Sequence, residues 1–167
     1  GGHRRVAEHG PEQLAHLRAF YWARAREALG LDKARGPEGG VVLDKLPIRI
    51  VDLALVNRLF PEARVLVALR DPRDACLSCF RQRFAMNVPM SFFLSLDGTA
   101  RLYEHAMGSW VRARGAYTMP WMEIRYEDTV REFEDRLRAI VGFLGQGWDD
   151  AVLSFHERAP ERVSRTP

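Results

Sequence analysis

Short apolar runs alternate along this chain with longer segments of helical periodicity, and this alternation limits the fold more than any other feature. Residues 41–43 (VVL) and 64–69 (RVLVAL) are short apolar runs, and residues 121–128 (WMEIRYED) begin with strand-like alternation. Strands separated by helices form parallel β-α-β crossovers. The sequence therefore predicts an α/β fold in which helices cover both faces of a parallel sheet of about three strands.

The helical segments show apolar residues at three- and four-residue steps. They cover residues 13–29, 48–60, 72–84, 99–113 and 130–144, followed by a short segment at 148–159. Pro72 suits the first turn of a helix, where its missing N–H is not needed. Gly30 and Gly145 are predicted to end two of the helices, and Asp149 or Asp150 is predicted to cap the last one.

Composition narrows the class of protein. The 167 residues are 47% hydrophobic and 28% charged, which is typical of one soluble globular domain, here residues 1–167. A net charge of +3 does not indicate a nucleic-acid partner. The sequence contains two cysteines, no signal peptide and no apolar stretch long enough to span a membrane, so we expect a cytoplasmic protein without a membrane partner.

Polar side chains stand at the ends of the predicted strands. The first strand ends at Asp44 and Lys45, the second at Arg70, and the third near Arg125 and Tyr126. Ligands of open parallel sheets bind beyond the carboxyl ends of the strands. The helix after the second strand would add free N–H groups and the positive end of its dipole. The sequence therefore predicts an anion site, suited to phosphate, at this edge of the sheet.

Three motifs in this order make a family recognisable. The segments LDKLP (43–47), LRDPRDACLS (69–78) and RYED (125–128) resemble those of sulfotransferases that use 3′-phosphoadenosine 5′-phosphosulfate (PAPS). The similarity is greatest to the bacterial, often repeat-linked branch related to protein-tyrosine sulfotransferases, and it covers residues 41–167. It implies a P-loop-NTPase-like sheet and sulfuryl transfer from PAPS to a hydroxyl of a small molecule or peptide, without a metal.

The resemblance also assigns roles to individual residues. Arg70 and Ser78, eight positions later, would bind the 3′-phosphate of PAPS. Tyr126 would help to hold the nucleotide, and Lys45 would act near the transferring sulfuryl group. Arg81 would line the mouth of the phosphate site or simply face water. Taken singly, Arg70 is equally a turn cation, and Ser78 a small residue in mid-helix. The alternative for Lys45 is a surface charge before Pro47, and Tyr126 is equally a half-buried aromatic residue.

The sequence departs from this family at its beginning. The family's Gly-rich loop, which cradles the 5′-phosphosulfate, has no counterpart, because GPEGG (36–40) precedes a predicted strand instead of following one. The chain starts with GGHRR, without Met, so we expect a fragment that lacks this loop and the general base that follows it. Because a lysine is protonated near neutral pH, Lys45 suits charge neutralisation better than proton abstraction.

Two other interpretations stay open at this point. One is a nucleotide- or anion-binding module that does not turn over, and the other is a relative of the P-loop kinases. Preference for adenosine 3′,5′-bisphosphate over ATP would favour the sulfotransferase. The pair Cys76 and Cys79 offers only two of the four ligands that zinc requires, so we expect packed thiols instead of a metal or redox site.

Overall fold

The computed structural model of the chain describes residues 10–30, 41–85 and 87–154, which form two compact units. The first unit contains the described residues up to 63 together with residues 109–120. The second unit contains residues 64–108 and the described residues from 121 onward. Within these parts of the chain, no helix combines the length and apolar character needed to cross a membrane.

Helices dominate the secondary structure of the described residues. The α-helices are α1 (Pro11–Leu29), α2 (Leu53–Leu59), α3 (Pro72–Arg81), α4 (Leu96–Ala113), α5 (Tyr126–Arg131) and α6 (Phe133–Phe143). The strands are β1 (Val65–Leu69) and β2 (Trp121–Arg125). Short 3-10 helices cover Pro47–Asp52, Pro89–Leu94, Arg114–Ala116 and Asp150–Val152.

The two strands of the second unit pair in parallel. Val65 lies opposite Trp121 and Leu69 lies opposite Arg125, so both strands end at the same edge of the sheet. Val67, in the middle of β1, is buried, and α5 follows β2 directly and packs against it. The predicted α/β class is confirmed as a two-stranded parallel sheet flanked by helices.

The strand predicted at residues 41–43 is wrong. These residues are not part of a strand, and the side chains of Val41 and Leu43 are 62% and 77% exposed. A short apolar run becomes a strand only where a neighbouring strand accepts its backbone hydrogen bonds, and the described chain offers none here. Lys45 therefore follows an extended loop and does not stand at a strand end.

The first unit packs α1 against the end of α2. The ring of Phe60 lies 4.9 Å from the ring of Tyr21 and 6.0 Å from that of Trp22, measured between centroids. The Nε–H of Arg18 donates to the Leu59 carbonyl oxygen at 2.6 Å. These contacts explain why one stripe of α1 is apolar, although none of its residues is fully buried.

Two predicted helices have different boundaries in the structure. The segment predicted at 48–60 begins as the 3-10 helix Pro47–Asp52, and α2 follows it. The segment predicted at 130–144 is interrupted at Glu132, whose φ of −124° and ψ of 50° are not helical. Neither Pro nor Gly stands at this break, so residue propensities do not reveal it.

Glycine ends two helices as predicted. Gly30 follows α1 with a φ of +63°, and Gly145 follows α6 with a φ of +71°. At the end of α6, the N–H of Gln146 donates to the Val141 carbonyl oxygen at 3.1 Å, and the N–H of Gly145 donates to that of Gly142 at 2.9 Å. This pair of bonds is a Schellman motif, which satisfies carbonyls that the helix leaves free.

The predicted final helix is present in part. The Asp149 side chain accepts the Ala151 N–H at 2.8 Å and caps the 3-10 helix Asp150–Val152. Asp149 was one of the two predicted caps, and its role is confirmed. The rest of the predicted segment, from residue 155, lies outside the described residues.

Candidate functional site

Arg70 and Tyr126 meet at the carboxyl ends of the two strands. The register pairs Leu69 with Arg125, so the next residue of each strand leaves the sheet at the same edge. The guanidinium carbon of Arg70 lies 5.0 Å from the centroid of the Tyr126 ring, within the range of a cation–π contact. The structure thus brings together two residues that the sequence predicted for one site.

Ser78 and Arg81 lie on the face of α3 toward which Arg70 reaches. Nη2 of Arg70 is 3.8 Å from Oδ2 of Asp74 in the first turn of α3. Residues three and four apart share a helix face, so Ser78 and Arg81 follow Asp74 along one stripe. Both side chains are exposed. Ser78 therefore lies one turn further along the helix face at which the Arg70 guanidinium ends.

The guanidinium of Arg70 keeps donors for a ligand. Its ion pair with Asp74 is longer than a hydrogen bond, and the two side chains are 42% and 61% exposed. Ion pairs of this kind contribute at most about 1 kcal/mol. Arg73 differs, because its Nε and Nη2 donate to the two carboxylate oxygens of Asp71 at 3.1 and 2.8 Å. Of these two neighbouring arginines, Arg70 is the one available to an anion.

The side chain of Asp71 caps the start of α3. Oδ1 of Asp71 accepts the Arg73 N–H at 2.9 Å. The Ala75 N–H donates to the Asp71 carbonyl oxygen at 2.9 Å, and Pro72 has no N–H. The hydrogen bonds from Arg73 hold the pKa of Asp71 well below its usual range. The cap therefore takes up one of the N–H groups expected to be free at this helix start, and side chains would have to supply much of the phosphate binding.

Glu127 connects the turn that follows β2 with the turn that follows β1. This residue was missed by the sequence analysis. The Asp71 N–H donates to its Oε1 at 2.8 Å across 56 residues of sequence. This hydrogen bond is the main cause that lowers the pKa of Glu127. Its Oε2 is buried without a hydrogen-bond partner among the described residues. The only signal in the sequence is its position directly after Tyr126 in RYED.

Lys45 lies in the first unit, in the loop before the 3-10 helix Pro47–Asp52. Its side chain is exposed, and the structure shows no hydrogen bond or ion pair from it to any described residue. The preceding Asp44 is held in place, because Oδ2 accepts the hydroxyl of Tyr21 at 3.3 Å and lies 3.3 Å from Nε of Arg49. Burial, together with the Asp44 charge, raises the pKa of Tyr21.

Cys76 and Cys79 are free thiols on α3. Cys76 is buried and Cys79 is half-buried. Burial raises the pKa of both thiols, which is typical of packed cysteines and unlike reactive ones. Among the residues that the structure describes, no group of three or more metal-binding side chains is found.

Comparison with known proteins agrees with the order of the motifs. The sequence model of the Sulfotransferase family matches residues 4–150. An uncharacterized protein of Aquifex aeolicus (strain VF5) is 24% identical over 117 residues, which are 70% of this chain and 15% of that protein. No solved structure matches the chain significantly. Because the family match covers most of the sequence, the resemblance inferred from residues 43–47, 69–78 and 125–128 is confirmed, and the chain belongs to the sulfotransferase family.

Proposed function

We propose that this chain binds the 3′-phosphate of PAPS within a PAPS-dependent sulfotransferase. Family membership supports the transfer of sulfuryl groups. The choice of PAPS as the donor rests on the position of Arg70. Its guanidinium lies over the Tyr126 ring at the strand ends and also reaches the helix face that carries Ser78. We also propose that the two-stranded sheet belongs to a P-loop-like arrangement within a single sulfotransferase domain.

The donor set suits a phosphate with two negative charges. A guanidinium presents planar donors that match two phosphate oxygens at once, and Arg70 has such donors available. The hydroxyl of Ser78 would add a neutral donor on the same side of α3. The Tyr126 ring, 54% exposed, gives the Arg70 guanidinium a stacking surface that limits its motion. Arg81 would strengthen the positive potential at the mouth of the site.

Lys45 would neutralise negative charge in the site and would not abstract a proton. PAPS, when bound, supplies the sulfuryl group that the acceptor hydroxyl takes up. The Lys45 ammonium, which is exposed, would neutralise negative charge that develops on the transferring group. Positioning and charge stabilisation would dominate such a transfer. A sulfuryl group carries less charge than a phosphoryl group, so a metal is not required.

Titration calorimetry with adenosine 3′,5′-bisphosphate and with ATP tests this function. We expect the bisphosphate to bind more tightly than ATP. Arg70→Ala should weaken its binding about 10- to 100-fold, because hydrogen bonds to charged groups contribute about 1.5–3 kcal/mol. Arg101→Ala is the matched control, since it removes the same charge from an exposed position on α4 and should leave the affinity nearly unchanged.

Two outcomes would contradict the proposal in different ways. Equal affinity for the two nucleotides, unaffected by Arg70→Ala, would remove the 3′-phosphate site. Tighter binding of ATP would favour a relative of the P-loop kinases.

A further inference from the structure

Two neighbouring contacts join the turns that follow β1 and β2. The first is the stacking of Arg70 on Tyr126, and the second is the hydrogen bond from the Asp71 N–H to Glu127. The residues involved are consecutive on both segments. A shift of either turn would therefore disturb both contacts, and the direction in which Arg70 leaves the sheet depends on the second contact as well as the first.

The Asp71 N–H has no partner in regular secondary structure. Asp71 lies two residues after the end of β1 and directly before the first turn of α3, so neither the strand ladder nor the helix accepts this N–H. Oε1 of Glu127 accepts this N–H at 2.8 Å. Because the acceptor is charged, the bond is stronger than one between neutral groups. Glu127 thereby fixes the backbone one residue after Arg70.

Two features of the surroundings oppose a carboxylate at this position. Oε2 of Glu127 is buried without a hydrogen-bond partner in the described chain, and an unpartnered buried oxygen destabilises a fold. A negative charge near an anion site also opposes anion binding. The hydrogen bond from the Asp71 N–H to Oε1, at 2.8 Å, is the contact that favours a carboxylate here.

We propose that Glu127 is a positioning residue for phosphate binding by Arg70. It holds the Asp71 N–H and so fixes the backbone from which the Arg70 guanidinium extends beside Tyr126. The carboxylate does not contact the phosphate. This role rests on the proposed 3′-phosphate site and names a residue on which the affinity of that site depends.

Three substitutions separate the hydrogen bond from the charge. Glu127→Gln keeps an oxygen that can accept the Asp71 N–H but removes the charge, whereas Glu127→Asp keeps the charge on a shorter side chain. Glu127→Ala removes both. We expect the Ala and Asp variants to bind adenosine 3′,5′-bisphosphate about tenfold more weakly than the wild type, because a charged hydrogen bond is lost. The Gln variant should stay within about threefold of the wild type.

AMP, which lacks the 3′-phosphate, is the control ligand for calorimetry. Its affinity should be the same in all of these variants, because Arg70 does not contact it. A purely electrostatic role of Glu127 predicts the reverse pattern, in which Gln and Ala tighten the binding of the bisphosphate. If Glu127→Ala does not fold, as judged by circular dichroism, the comparison of Gln with Asp still decides between these roles.

A double-mutant cycle tests whether Glu127 acts through Arg70. In the Arg70→Ala background, Glu127→Ala should weaken the binding of the bisphosphate no further. An equal loss in both backgrounds, or no loss in the wild-type background, would overturn the inference. If instead the wild type binds the bisphosphate no better than AMP, the proposed 3′-phosphate site itself fails, and the two failures are thus distinguishable.

Discussion

Gly145 provides a sharp test of how α6 ends. Its φ of +71° lies in the left-handed region, which disfavours residues with a Cβ by about 1–2 kcal/mol. A Cβ at this position would also meet the guanidinium of Arg64. That group is the far end of a flexible side chain and can move aside. The unfavourable backbone conformation is therefore the main cost of adding a Cβ. We expect Gly145→Ala to lower the free energy of unfolding by about 1–1.5 kcal/mol.

Gly142 is the matched control three residues earlier. It lies within α6, and a Cβ built there has no other atom within 4 Å. Alanine is favoured over glycine in a helix by about 0.5–1 kcal/mol, so Gly142→Ala should stabilise the protein. The same Gly-to-Ala change is therefore expected to lower the free energy of unfolding at one position of this helix end and to raise it at the other.

Urea unfolding followed by circular dichroism measures both changes. With a slope of about 1–3 kcal/mol per molar urea, a change of 1 kcal/mol moves the midpoint by roughly 0.3–1 M. We expect the midpoint of Gly145→Ala to fall and that of Gly142→Ala to rise. A shift of both midpoints in the same direction would refute the assignment of the left-handed Gly145 as the residue that ends the helix.

Two further outcomes concern the strand ends. Tyr126→Leu should weaken the binding of adenosine 3′,5′-bisphosphate about two- to fivefold, whereas Tyr126→Phe should leave it unchanged. The reason is that an exposed cation–π contact contributes about 0.5–1 kcal/mol and needs only the ring. Equal losses of affinity in the two variants, measured by calorimetry, would show that the hydroxyl is the group that matters. Because the pKa of Glu127 is lowered in the fold, its carboxylate stabilises the protein above the ordinary carboxyl pKa of about 4, and this contribution is lost as the pH falls through the lowered value. The urea midpoint should therefore decline less below pH 4 in Glu127→Gln than in the wild type, and identical declines would contradict this reasoning.

Local signals in the sequence were sufficient for β1, α3 and the ends of two helices. An apolar run that stops at Arg70 and a Pro at position 72 indicate a strand, a turn and a helix start without further information. Gly30 and Gly145 mark helix ends because glycine tolerates a positive φ. The position of Arg70 at a strand end follows from the same local pattern.

Features that depend on strand pairing could not be predicted in this way. The apolar run at 41–43 looks like a strand, but only a neighbouring strand would have made it one. The bond between Asp71 and Glu127 requires the register of β1 with β2, which nothing near either residue reveals. The occupied start of α3, in contrast, was readable, because Asp followed by Pro is a frequent helix N-cap sequence.

The cap at Asp71 changes what the proposed phosphate site depends on. Where a helix start has free N–H groups, the backbone itself holds an anion in a fixed geometry. Here the cap takes up the Arg73 N–H and Pro72 has none, so the phosphate would depend mainly on the side chains of Arg70 and Ser78, which are exposed to water. Exposed charges are screened by salt, and ordering a long side chain has an entropic cost. Contacts that hold Arg70 in place before the ligand arrives reduce that cost. For this reason the stacking on Tyr126 and the backbone bond to Glu127 matter more here than they would beside an uncapped helix.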